Sequence, residues 1–281
     1  MYRKHLAPCV LLLASAACSS TSNDPEPVTI SFAPLVAGSQ FSCSATYTGI
    51  GTSKTSFQPL DFRMYVTDVA LVRSDGVEVP VTLDADGVWQ RGKFALLDFE
   101  DASGTCVGGS KETNLTVRGK APPGTYAGVA FTVGIPEEEN HLDAATAPAP
   151  LNAPGMSWSW SGGYKYVRID VQTPKNKGYY LHLGATNCTG SVSKGFTCAA
   201  GNRPRVKLDG FDLRQGKVAL DLADLWANQD LDAQIDGKTD QVPGCMAFPG
   251  DPECPSVFTK LGLNIDGSAL PTQSLFKAAA R

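Results

Sequence analysis

From Tyr164 to Val171 the chain alternates. Lys165, Val167, Ile169 and Val171 fall on one side, and Tyr164, Tyr166, Arg168 and Asp170 on the other. A period of two fits an extended strand and not a helix. The same signal recurs along the chain. Val129, Phe131 and Val133 share a face within Tyr126 to Val133, and Asp61 to Val72 is a long β-type run closed by Ser74-Asp75-Gly76. Val28 to Phe32, Val77 to Leu83, Trp89, Phe94 to Phe99, Tyr179 to Leu183, Arg205 to Leu208 and Val218 to Leu220 add strands, and Asp84 to Gly87 adds a turn. Two short helices are predicted. One holds Leu222, Leu225 and Trp226 behind Asp221 as N-cap, and the other runs from Pro255 to Leu261 with Gly262 past its end. Strands separated by turns, with few helices, predict an all-β fold. It is an antiparallel sandwich or barrel-like single domain with short helices, braced by disulfides.

The start of the chain reads as a leader. Arg3 and Lys4 precede an apolar run, and small residues lead to Cys18, so residues 1–17 are expected to be a signal peptide. Cys18 is expected to carry a lipid, residues 18–27 to form a flexible tether, and residues 28–281 to form the folded domain. The apolar run is too short to span a membrane, so membrane contact is expected only through the lipid. Removing Arg3 and Lys4 from 24 basic residues leaves 22 against 28 acidic ones, a net charge of −6. That balance argues against nucleic acid as a partner.

Six cysteines follow Cys18: Cys43, Cys106, Cys188, Cys198, Cys245 and Cys254. An even number in an exported chain, without Cys-x-x-Cys, favours disulfides over a thiolate metal site. The short spacings pair Cys188 with Cys198 and Cys245 with Cys254, leaving Cys43 for Cys106.

With His5 in the leader, the mature chain holds His141 and His182. Neutral imidazole is a preferred ligand of copper and zinc, although two isolated histidines are commonly ordinary residues. Asp143 is placed to orient His141, and Glu137, Glu138 and Glu139 read as a solvated loop. Trp158 and Trp160 stand at i and i+2, which suits core packing, a sugar platform or a redox site. Met246 offers a thioether. No Gly-x-Ser-x-Gly and no nucleophile beside a histidine argue for a hydrolase. Asp75-Gly76 and Asp86-Gly87 are turns rather than calcium loops.

The ordered motifs Gln40-Phe41-Ser42-Cys43, Asp61 to Val69, Leu96 to Asp101 and Asn140-His141-Leu142-Asp143 resemble the MbnP family of copper-binding proteins. So do Pro150-Leu151-Asn152, Met156-Ser157-Trp158-Ser159-Trp160, Gly162 to Tyr166, His182-Leu183-Gly184 with Cys188, and Pro243 to Met246. The resemblance covers roughly residues 28–265. It implies a periplasmic copper-binding protein, not an enzyme, that accompanies a di-haem MauG-like cytochrome c peroxidase. The resemblance further implies that this partner oxidises a tryptophan to kynurenine, which would join histidines around copper for acquisition or homeostasis. Carried onto this chain, the ligands are His141 and His182. The oxidised residue is Trp158 or Trp160, with Trp89 as an outside candidate. Asp143 or Met246 would lend support. The alternative is a cell-surface carbohydrate-binding module that stacks sugars on Trp158 and Trp160.

Overall fold

A computed structural model describes Met1 and residues 24–159, 161–233 and 242–280. The leader, Cys18 and Trp160 lie outside the described residues. Two sheets make a sandwich rather than a barrel. The first runs, in order, Phe276–Ala280, Gly216–Asp221, Glu26–Val36, Thr116–Ala121 and Thr82–Leu83. The second runs Arg205–Asp209, Tyr126–Val133, Thr55–Arg73, Val167–Gln172, Tyr179–Leu183 and Gly244–Cys245. Most pairings are antiparallel. Glu26–Val36 with Gly216–Asp221, and Tyr179–Leu183 with Gly244–Cys245, are parallel, so both sheets are mixed. The first strand begins at Glu26, ahead of the expected Val28, because Glu26 and Pro27 lie in the ladder opposite Ala121 and Lys120.

Thr55–Arg73 is the spine of the second sheet. One of its edges pairs with Val167–Gln172 through Met64 and then with Tyr126–Val133 from Val66 onward. The change of partner falls at Tyr65, whose N–H donates to Tyr166 O while its carbonyl accepts from Gly134 N. Residues 134–166 therefore leave and rejoin the sheet at one point. Gly134 sits at φ 118°, and a Cβ there would lie 2.7 Å from Tyr166 Cδ2, so the departure needs glycine.

Between the sheets, Phe131 contacts Phe32 and Phe276 edge-on, with ring centroids 5.5 and 5.4 Å apart. Phe62, Met64, Val66, Val167, Ile169 and Val171 face the same core, and burying each large apolar side chain contributes about 1.5–3 kcal/mol. The alternation read from the sequence holds for Val167, Ile169 and Val171. Lys165 departs from it. The strand starts only at Val167, and the Lys165 ammonium turns instead to the carbonyl of Gly155, because an apolar core offers it no partner. The helices are Leu222–Leu225, with Asp221 capping Ala223 N at 2.8 Å, and Cys254–Leu261, ended by Gly262 at φ 81°. The disulfides are Cys43–Cys106, Cys188–Cys198 and Cys245–Cys254. No helix among the described residues is long and apolar enough to cross a membrane.

Candidate metal centre

The outer face of the second sheet carries its own cluster: Tyr65, Phe94, Leu96, Ile135, Leu151, Met156, Tyr164 and Tyr166, closed over by residues 134–166.

His141 is fixed from its neighbour. Asn140 is fully buried, and its Oδ1 accepts from Tyr164 N at 3.1 Å. Gly163, at φ 78°, leaves room for the amide, since a Cβ there would lie 2.5 Å from Asn140 Nδ2. The His141 ring stacks on Phe196 at 4.4 Å, and its Nε2 lies 3.2 Å from Asn140 Nδ2 and 3.3 Å from Cys198 Sγ. It faces an open cleft of about 600 Å3 bordered by Glu137, Glu138, Leu142, Asp143 and Phe196. Glu137–Glu139 form a turn of 3-10 helix rather than the loop expected. Asp143 Oδ1 accepts from Ala145 N at 3.0 Å, which shapes the turn after His141.

His182 rests on a buried ion network. Arg63 donates to both oxygens of Asp61, at 2.9 and 2.5 Å. Arg168 joins Asp61 at 3.0 Å and Asp170 at 2.7 Å, and Asp170 Oδ1 meets His182 Nε2 at 2.7 Å. Two carboxylates thus balance two guanidiniums, which burial at this depth requires. Arg63 Nη1 also donates to Pro154 O at 2.9 Å, and Lys165 Nζ to Gly155 O at 3.0 Å, so the network holds the backbone that leads into Ser157–Ser159. Burial would raise the Asp170 pKa, but the His182 hydrogen bond and the nearby Arg168 hold it below the usual carboxylate value. Burial lowers the His182 pKa against the opposing pull of Asp170. The imidazole is therefore neutral at pH 7, and we assign its proton to Nε2, facing Asp170. Its Nδ1 is buried and has no hydrogen-bond partner among the described residues. A buried, unprotonated nitrogen on a ring oriented by a carboxylate is an arrangement that suits a metal-ligating histidine.

Trp158 lies beside it. Its ring centroid is 6.4 Å from that of His182 and 6.3 Å from that of Phe248. The indole packs over Gly184, where a Cβ would come within 2.5 Å of Trp158 Cζ3. Trp158 Nε1 is a second buried polar atom without a partner among the described residues. Met246 is half-buried, its N–H donating to Asp251 Oδ2 at 2.9 Å. Trp89 lines a separate cavity of about 500 Å3 with Arg63, Asp98, Pro150 and Pro154.

The sequence reading missed Asp170 as the partner of His182. The signal was the placement of Arg168 and Asp170 on one face of a strand whose other face is apolar. Strand register sets Arg168 opposite His182 and Asp170 on the diagonal to it.

A disulfide-braced sandwich defines the class, with His182 and Trp158 side by side on the outer face of one sheet and His141 held apart from them against Phe196 and Cys198. The family model of MbnP matches residues 25–247. The solved structure of MbnP from Methylosinus trichosporium is similar, with a TM-score of 0.82 and 31% identity over 92% of this chain and 99% of that chain. No curated protein matches the chain. The chain belongs to the MbnP family.

Proposed function

We propose that this protein binds copper on the outer face of the second sheet, through the imidazoles of His141 and His182 and a kynurenine made from Trp158 or Trp160. The observation that carries the reading is the pair of unpartnered buried atoms, His182 Nδ1 and Trp158 Nε1, beside an imidazole already oriented by Asp170. A neutral imidazole nitrogen suits copper. Indole is a poor ligand, whereas ring opening exposes an aryl amine and a ketone. Membership of the MbnP family supports a copper-related role. In this reading the protein is a copper carrier of the periplasm, lipid-anchored at Cys18. It is the substrate of a di-haem MauG-like peroxidase rather than an enzyme. The sugar-platform alternative is weakened because the Trp158 indole N–H is buried and its ring packs on Gly184 and near Phe248, instead of lying flat to solvent.

The test is protein produced with and without the peroxidase. The peptide holding Trp158 and Trp160 is expected to gain roughly 4 Da, one carbon exchanged for one oxygen, only with an active partner. The modified protein should bind copper stoichiometrically, and His141→Ala with His182→Ala should abolish it. Undiminished binding in the double variant would overturn the assignment.

A further inference from the structure

The three disulfides among the described residues differ in their surroundings. Cys43–Cys106 and Cys245–Cys254 are buried, with no cysteine more than 2% exposed. Cys188 and Cys198 are half-exposed on a hairpin of two strands, Thr186–Ser191 and Gly195–Ala200, that forms a sheet of its own. The cysteines face each other directly in its register, flanked by the pairings Thr186 with Ala200, Thr189 with Thr197, Gly190 with Phe196 and Ser191 with Gly195. Opening the S–S bond leaves that ladder intact, so the sulfurs stay neighbours. His141 stacks on Phe196 of the same hairpin and brings Nε2 to 3.3 Å from Cys198 Sγ. One His141 nitrogen and both sulfurs lie within 4.8 Å of one another, and the cleft at His141 is also bordered by Gly195 and Phe196 of the hairpin.

We propose that Cys188–Cys198 is a reducible disulfide whose opening creates a second, thiolate metal site, with His141, Cys188 and Cys198 as ligands for Cu(I). The reductant is a dithiol. Its thiolate attacks Cys188 Sγ and breaks the S–S bond, and Cys198 leaves as a thiolate beside His141 Nε2. The donor's second thiol then closes the donor disulfide and releases Cys188. Two electrons and two protons pass to the protein, and the donor is oxidised to its disulfide. Cu(I) then displaces the thiol protons. Two thiolates and one imidazole are a soft donor set suited to Cu(I). This site uses neither His182 nor a tryptophan but shares His141 with the proposed copper–kynurenine site, so it is tested in protein made without the peroxidase, which carries no kynurenine.

The experiment treats the full chain with a graded phosphine reductant, maps free thiols by alkylation and peptide mass, and titrates Cu(I) supplied as its bathocuproine complex. Cys188 and Cys198 are expected to label first. In protein made without the peroxidase, the reduced form is expected to hold one more Cu(I) per chain than the oxidised form. The gain should persist in His182→Ala, which removes a ligand of the proposed copper–kynurenine site. It should weaken on the order of 10–100-fold in His141→Ala and vanish in Cys188→Ser with Cys198→Ser. Alkylating the reduced pair of the unsubstituted protein should also abolish it, which covers a double variant that fails to fold. Earlier labelling of a buried pair, no gain on reduction, a gain that survives alkylation, or a Cu(I) affinity unchanged in His141→Ala would each overturn the proposal.

Discussion

Along the second sheet the two faces carry different chemistry. Inward point Phe62, Met64, Val66, Val167, Ile169, Val171, Leu181 and Leu183, all apolar and packed against the first sheet. Outward on the same strands stand Asp61, Arg63, Arg168, Asp170 and His182, buried as deeply in several cases but joined by hydrogen bonds. The inner face holds the protein together by area removed from water. The outer face must satisfy every charge it hides, and the geometry this requires aims an imidazole and fixes a tryptophan. Stability and site chemistry are thereby separated across one layer of backbone.

The largest effect should come from the inner face. Phe131→Ala removes the ring that bridges Phe32 and Phe276, and is expected to cost about 3–5 kcal/mol in denaturant unfolding. Copper stoichiometry of the folded fraction should stay unchanged. Loss of copper with the fold intact would break the separation.

Asp170→Ala tests the outer face. It leaves His182 Nε2 without its acceptor and Arg168 with Asp61 alone, for an expected loss of about 2–4 kcal/mol. Copper affinity, measured by chelator competition, should fall on the order of 10–100-fold. In the unsubstituted protein, the depressed His182 pKa sets the sign of the pH dependence. Its contribution to stability is present above the ordinary value of 6.5 and is lost as pH falls through the lower folded-state value, because the unfolded chain takes the proton first. Copper should leave over the same acid range, and a copper affinity flat through it would count against His182.

Gly184→Ala sharpens the comparison at the tryptophan. The added methyl meets the Trp158 ring and Tyr164 O, and an expected cost of about 1–3 kcal/mol should come with a shifted indole near-UV signal. An unmoved signal would mean that Gly184 does not set the indole position.

The smallest effect should be a gain. Asp98 shares the outer face, where burial pushes its pKa up to about 8 despite the nearby Arg63. The folded state keeps that proton while the unfolded chain releases it near 3.8, so stability falls as pH rises from about 4 to 8. Asp98→Asn should recover about 1 kcal/mol at pH 8 and little at pH 4, read as a pH-dependent difference in Tm. An equal gain at both would refute the titration.

Much of the fold was legible because its rules are local. Alternation marked the strands, the Asp221 side chain and Gly262 marked helix ends, and the short cysteine spacings led to the bonded pairs. The histidines and tryptophans could be named as candidates from residue chemistry and motif alone. Lys165 was misplaced because alternation was extended past the true start of the strand at Val167. The parallel pairings were not legible, since strands far apart in sequence, such as Glu26–Val36 and Gly216–Asp221, meet only when the sheet assembles. The partnership of Asp170 with His182, the charge balance with Asp61, Arg63 and Arg168, and the meeting of His141 with Cys198 were likewise decided by tertiary structure. Sequence fixes which way a side chain points along its own strand. Which group it meets depends on register and on the return of residues 134–166 to the sheet beside Tyr65, and these are set by burial summed over the whole domain.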